Sequence, residues 1–260
     1  MNKSIGIFDS GVGGTSIWKE LHTLMPNESK IYLADSKNAP YGEKSSEEIL
    51  RLSIKNTEFL IEQNCKLIVV ACNTATTNAI EYLRNNFQVP FIGIEPAIKP
   101  AALQTKTKKV GVLATKGTLS SSLFFNTSKL YTAGVKIYEQ EGSGLVELIE
   151  AGLLDSKKIR NLLIKFLQPM LEEGIDCLVL GCTHYPFLIP VLKEILPSHV
   201  KVIDSGQAVA QQTKTILEKN ELLISDSTFV TSSIFYSNTN PDVLRKLVNR
   251  EDIQVRYLDF

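Results

Sequence analysis

The chain has 260 residues, 43% of them hydrophobic and 22% charged, enough to bury one large core or two of ordinary size. Its 28 Lys plus Arg balance 28 Asp plus Glu, so no charge field asks for nucleic acid, and no apolar run reaches the roughly 20 residues that cross a membrane. Met1-Asn2-Lys3-Ser4 passes directly into an apolar strand signal without a signal-peptide layout, and a cytoplasmic protein is expected.

In chain order the predicted strands are Ile5–Phe8, Ile31–Ala34, Leu67–Ala71, Phe91–Ile94, Val110–Leu113, Val135–Tyr138, Cys177–Leu180 and Val200–Ile203, separated by helix-like stretches. These runs are continuous rather than alternating, as expected of strands covered by helices on both faces, and the rhythm predicts a parallel α/β fold. Ile17, Leu21 and Leu24 around Trp18 read as the core face of the first helix. Beyond Ile203 come a helix over Ala208–Lys219, a β-like stretch Thr228–Ser232 and a helix over Pro241–Asn249.

The chain contains an approximate repeat of itself. The first copy opens with "KSIGIFDSG" and later has "NCKLIVVACNTAT"; the second opens with "KKVGVLATKGT" and later has "GIDCLVLGCTHYP". The spans Gly6 to Cys72 and Gly111 to Cys182 are of similar length, so each half contributes one equivalent cysteine. Breaks at Glu95-Pro96 and Asp204-Ser205-Gly206 divide the chain into a first α/β lobe of residues 1–96 plus 206–260 and a second of residues 97–205. Two pseudo-symmetric lobes with a cleft between them are expected.

Ligands of open α/β sheets bind beyond the carboxyl ends of the strands, and the residues there are polar: Asp9 and Ser10, then Cys72, Asn73 and Thr74, then Thr115 and Thr118, then Cys182, Thr183 and His184. Asn73 or Thr74, and Thr183, stand where helices begin, so free amides and the helix dipole await a carboxylate. The same position lowers a thiol pKa from about 8.5 towards thiolate, with His184 and Asp9 as candidates to tune the pair. Two equivalent proton carriers on opposite walls suit a 1,1-proton transfer at a carbon acid, which needs no electron sink and therefore no cofactor. Cys65 and Cys177 read as buried strand starts. With three histidines and no Cys-x-x-Cys, neither disulfides nor a metal site is expected. "GVGG" fails as a dinucleotide fingerprint because Ser16 replaces its last glycine.

The motifs "FDSGVGG" (Phe8 to Gly14), "PYG" (Pro40 to Gly42), "ACNTAT" (Ala71 to Thr76), "ATKGT" (Ala114 to Thr118) and "LGCTHYP" (Leu180 to Pro186) follow one another in an order that resembles the glutamate racemase family over essentially the whole chain. The resemblance implies that Cys72 and Cys182 are the catalytic pair, assisted by Asp9 and His184 and by Glu150 in "LIEAG". It implies substrate binding by Asp9, Ser10, Tyr41, Gly42, Asn73, Thr74, Thr183 and His184, with Thr115 and Thr118 added. The implied activity interconverts L- and D-glutamate for peptidoglycan; a homodimer is implied by the resemblance alone. The segment before "PYG" reads "ADSKNA", where family members tend to carry a glycine and an arginine. Two other readings stand beside this one: an aspartate or hydantoin racemase on the same scaffold, and a two-lobed amino-acid-binding protein without turnover.

Overall fold

The computed structural model describes residues 3–131, 134–224 and 231–260. Among the described residues ten strands run in chain order: β1 (Ile5–Asp9), β2 (Lys30–Ala34), β3 (Leu67–Val70), β4 (Phe91–Gly93), β5 (Lys109–Ala114), β6 (Lys136–Glu141), β7 (Cys177–Gly181), β8 (Lys201–Ile203), β9 (Ser233–Ser237) and β10 (Gln254–Tyr257). Between them lie helices α1 (Thr15–Leu24), α2 (Ser46–Glu62), α3 (Asn73–Asn86), α4 (Ile98–Gln104), α5 (Lys116–Leu119), α6 (Ser122–Tyr131), α7 (Leu145–Glu150), α8 (Lys157–Glu172), α9 (Ile189–Ile195), α10 (Gly206–Lys219) and α11 (Asp242–Val248).

The strands form two sheets, β10-β9-β2-β1-β3-β4 and β6-β5-β7-β8, and every pairing in both is parallel. The α/β class read from the apolar runs is therefore observed. Central strands β1, β3 and β7 are buried along their whole length, which is why they read as unbroken apolar runs. One apolar cluster contains Ile5, Ile7 and Val69 of the first sheet together with Leu113, Leu178 and Leu180 of the second.

Strand ends differ from the sequence reading by a residue or so, except that β6 extends to Glu141. In α1 Leu24 is exposed and the following Met25 is buried in its stead. Of the β-like stretch Thr228–Ser232, residues 228–230 lie outside the described residues, and the strand found here starts at Ser233. It inserts beside β2 in the first sheet. The edge strand β10 was not anticipated: Gln254-Val255-Arg256-Tyr257 is mostly exposed and polar, so it lacks the apolar run by which its neighbours were recognised.

Local chemistry sets where the site-bearing helices begin. Ser45 accepts from the Glu48 amide at 3.2 Å to cap α2, and Ser156 accepts from the Ile159 amide at 3.3 Å to cap α8, each satisfying an amide that the helix cannot. At α3 the same position is held by a thiol. Cys72 Sγ accepts from the Ala75 amide at 3.4 Å.

Candidate active site

Register brings the polar strand ends together. In the first sheet Phe8 pairs with Val70, so Ser10 and Cys72 emerge side by side, and the Cys72 thiol donates to Ser10 Oγ at 3.7 Å. In the second sheet Ala114 pairs with Gly181, so Thr115 and Cys182 emerge as neighbours. Both cysteines open onto one small cavity, lined also by Ser10, Pro40, Tyr41, Gly42, Asn73, Thr74, Thr115, Val146, Thr183 and His184. A second cavity shares Pro40, Gly42, Thr115 and Val146 with the first and is lined further by Glu43, Lys116, Glu141 and Glu147.

The two sets of loops lock across the gap between the sheets. Thr183 donates to Asp9 Oδ1 at 3.1 Å, Ser16 donates to the Thr183 carbonyl at 3.0 Å, and the Thr74 and Thr115 hydroxyls are 2.9 Å apart. Thr118 lies behind this pair, 3.1 Å from Thr115 Oγ1 and 3.4 Å from Thr74 Oγ1. Glu150, at the end of α7, accepts from the Val12 amide at 2.7 Å on one oxygen and from Ser36 Oγ at 2.9 Å on the other. Asp9, Glu150 and Thr118 thus stand behind the cavity wall, holding residues that line it.

Two glycines make that crossing feasible. A Cβ on Gly11 would lie 1.9 Å from Glu150 Oε1, and one on Gly13 would lie 2.3 Å from His184 Nδ1. "GVGG" is thus cleared, at Gly11 and Gly13, for side chains that arrive from the other sheet.

Ionisation is set by burial and by these contacts. His184 lies with Nδ1 3.8 Å from Cys182 Sγ and Nε2 2.6 Å from Glu150 Oε1. Burial works against its charge, but the hydrogen bonds to Cys182 and Glu150 and their charges prevail, and its pKa is raised well above the usual value. Both ring nitrogens of the resulting imidazolium are donors. Asp9, fully buried, is pushed up to about 6, by burial first and by Glu150, against the opposing pull of His184 and the amides of Gly14 and Gly11. Cys72 is raised as well, by burial and then by the Asp9 charge; the Ala75 amide and Ser10 oppose this without reversing it. The expectation that a helix N-terminus would favour thiolate is therefore corrected at Cys72. The capping amide is one dipole, whereas burial removes the whole solvent shell of the anion.

Tyr41, which the resemblance implies in substrate binding, lines the cavity but has its hydroxyl engaged elsewhere. Its hydroxyl donates to Asp35 Oδ2 at 2.5 Å and accepts from Asn56 Nδ2 at 3.2 Å, so it meets the cavity through the rest of the residue. Asn73 is the converse case: it is 3% exposed, and its side-chain N and O have no partner. Asp35, Ser36 and Asn238 are site-supporting residues that the sequence reading missed. Asp35 and Ser36 follow β2 directly, and inspection of residues after each strand, applied there, would have found them.

These features invite comparison with known proteins. The sequence model for the Asp/Glu/Hydantoin racemase family matches residues 14–213. A glutamate racemase from Ectopseudomonas mendocina is 49% identical over 227 residues, covering 86% of each chain. The chain belongs to the glutamate racemase family. Among solved members, glutamate racemase of Escherichia coli in complex with L-glutamate and activator UDP-MurNAc-Ala has a TM-score of 0.86 at 34% identity, covering 99% of this chain and 98% of that one. Glutamate racemase of Francisella tularensis in complex with D-glutamate has a TM-score of 0.84 at 29% identity, covering 99% and 97%. The family match extends across both sheets, and the two thiols sit one in each.

Proposed function

We propose that the chain interconverts L- and D-glutamate by proton transfer between Cys72 and Cys182. The observation that carries this is two free thiols from equivalent strand ends, β3 and β7, facing one small cavity. One sulfur, as thiolate, takes the Cα proton; the carbanion flattens; the opposing thiol delivers its proton to the other face, leaving that sulfur as the thiolate. Charge and atoms balance, and the reverse reaction starts from the state the forward one leaves. The α3 N-terminus beside Cys72 offers unsatisfied amides to a carboxylate, and the unpartnered Asn73 amide offers both a donor and an acceptor to the amino acid's polar groups. His184, held by Glu150, offers Cys182 a cation and a proton.

Under the same reading residues 1–96 plus 206–260 form one lobe and 97–205 the other, which accords with strands β9 and β10 joining β1 to β4. No helix among the described residues is long and apolar enough to cross a membrane, and the proposed setting is the cytoplasm, with D-glutamate supplied to peptidoglycan. Proton NMR of D-glutamate and D-aspartate in deuterated water tests the activity. Loss of the glutamate Cα–H signal, absent in Cys72→Ser and Cys182→Ser variants as net racemisation, is the expected result. Full turnover by Cys72→Ala, or exchange confined to aspartate, would overturn it.

A further inference from the structure

We propose that Asn238 is a positioning residue for substrate binding, its side-chain amide fastening the 35–42 segment that brings Tyr41 and Gly42 to the thiol cavity. This rests on the racemase reading for what the cavity holds; the fastening itself is geometric. Asn238 follows β9 and is 4% exposed. Its Oδ1 accepts from the Lys37 amide at 2.9 Å, its Nδ2 donates to Asp35 Oδ1 at 2.5 Å, and its own amide donates to the Ala34 carbonyl at 3.4 Å. One planar group thereby grips residues on both sides of Ser36, the hydroxyl that holds Glu150.

Asp35 carries the constraint onward. It is 2% exposed, receives Asn38 Nδ2 at 2.8 Å on the oxygen that Asn238 uses, and takes the Tyr41 hydroxyl on the other. Pro40, Tyr41 and Gly42 then form part of the cavity wall, and Gly42 is pressed so closely to the second sheet that a Cβ there would lie 2.9 Å from Thr115 Cβ. The segment itself has only two three-residue 3-10 turns, Ser36–Asn38 and Tyr41–Glu43, and no ladder of its own. Side-chain fasteners must therefore set its position. An amide supplies a donor and an acceptor in one rigid group, and alanine supplies neither.

Without the fastener the segment spreads over more positions, and apparent affinity falls with the fraction that is competent to bind. The thiols are held by β3 and β7 and keep their places, so turnover of bound substrate changes little. Steady-state racemisation of L- and D-glutamate by wild type, Asn238→Ala, Asn238→Ser and Leu244→Ala is the test. Leu244 is a buried core residue of α11 on the same C-terminal segment. Loss of these hydrogen bonds is expected to raise KM about 10-fold for both isomers in Asn238→Ala, with kcat within about 3-fold. Asn238→Ser, a milder change should the alanine variant fold poorly, is expected to show the same split at smaller size. Leu244→Ala should lower the unfolding temperature and leave KM unchanged. Unchanged KM in both Asn238 variants, or an equal rise in Leu244→Ala, overturns the proposal. If wild type turns over no glutamate, the racemase reading falls instead, and dissociation constants for glutamate from calorimetry replace KM in the same comparison.

Discussion

Around Cys72 the partners are Ser10 Oγ at 3.7 Å and the Ala75 amide at 3.4 Å, with the Asp9 carboxyl adding negative charge to a buried site. Around Cys182 the partner is His184, 3.8 Å away, raised towards its charged form and backed by Glu150. The strands beneath are equivalent, but the wiring is not. A parallel sheet fixes where a residue after a strand emerges, whereas the loops that meet it fix its ionisation. At neutral pH the Cys72 wall holds its proton as a neutral thiol, and the Cys182 wall has a cation beside the sulfur. Substrate carboxylate and amino groups then enter an asymmetric field.

The contrast can be broken hardest at the thiols. Loss of either general acid–base should lower racemisation by about 10⁴-fold, so polarimetry with Cys72→Ala and Cys182→Ala should find both nearly inactive, despite their different surroundings. Because L- and D-glutamate have equal free energy, kcat/KM must fall equally in the two directions; only the split between kcat and KM can differ. His184→Asn comes next: it removes the only side chain hydrogen-bonded to Cys182 among the described residues, and a loss of about 10²-fold is expected from the usual range for a proton-transfer partner. Gly13→Ala should imitate it more weakly, since the added methyl would displace the His184 ring. A loss confined to KM would contradict that cause.

Asp9 sharpens the comparison through pH. Its carboxyl is raised from 3.8 to about 6, so between those values the folded chain keeps a proton that the unfolded chain has lost. Stability should therefore fall as pH rises from about 4 to 6 and level off above, by about 2–3 kcal/mol from this group. Urea unfolding of wild type against Asp9→Asn at pH 4.5 and 7.5 checks it: the variant should gain relative to wild type at the higher pH. The smallest effect is expected at Ser36→Ala, where one hydrogen bond to Glu150 is lost at a cost of about 1 kcal/mol, or roughly 5-fold in kcat/KM.

Much of this site was legible because its residues follow unbroken apolar runs. Ser10, Cys72, Asn73, Thr115, Cys182 and His184 all line the cavity or its hydrogen-bonded wall. Asn238 was hidden because β9 had not been located, its predicted stretch having been set earlier, over Thr228–Ser232. β10 was hidden because an edge strand with exposed Gln254 and Arg256 carries no apolar signature. Contacts between distant segments left no local trace: nothing near Gly11 announces Glu150, and nothing near Tyr41 announces that Asp35 takes its hydroxyl. Thiol ionisation was misread at Cys72 for the same reason, since it depends on how completely the folded loops exclude water.

The two-thiol account is tested most directly by converting L-glutamate in deuterated water and examining the first few per cent of product. The D-glutamate formed should carry deuterium at Cα from the opposing, solvent-exchanged thiol, while recovered L-glutamate stays protiated. Early product that retains the original hydrogen would mean that one base serves both faces, and would contradict the account.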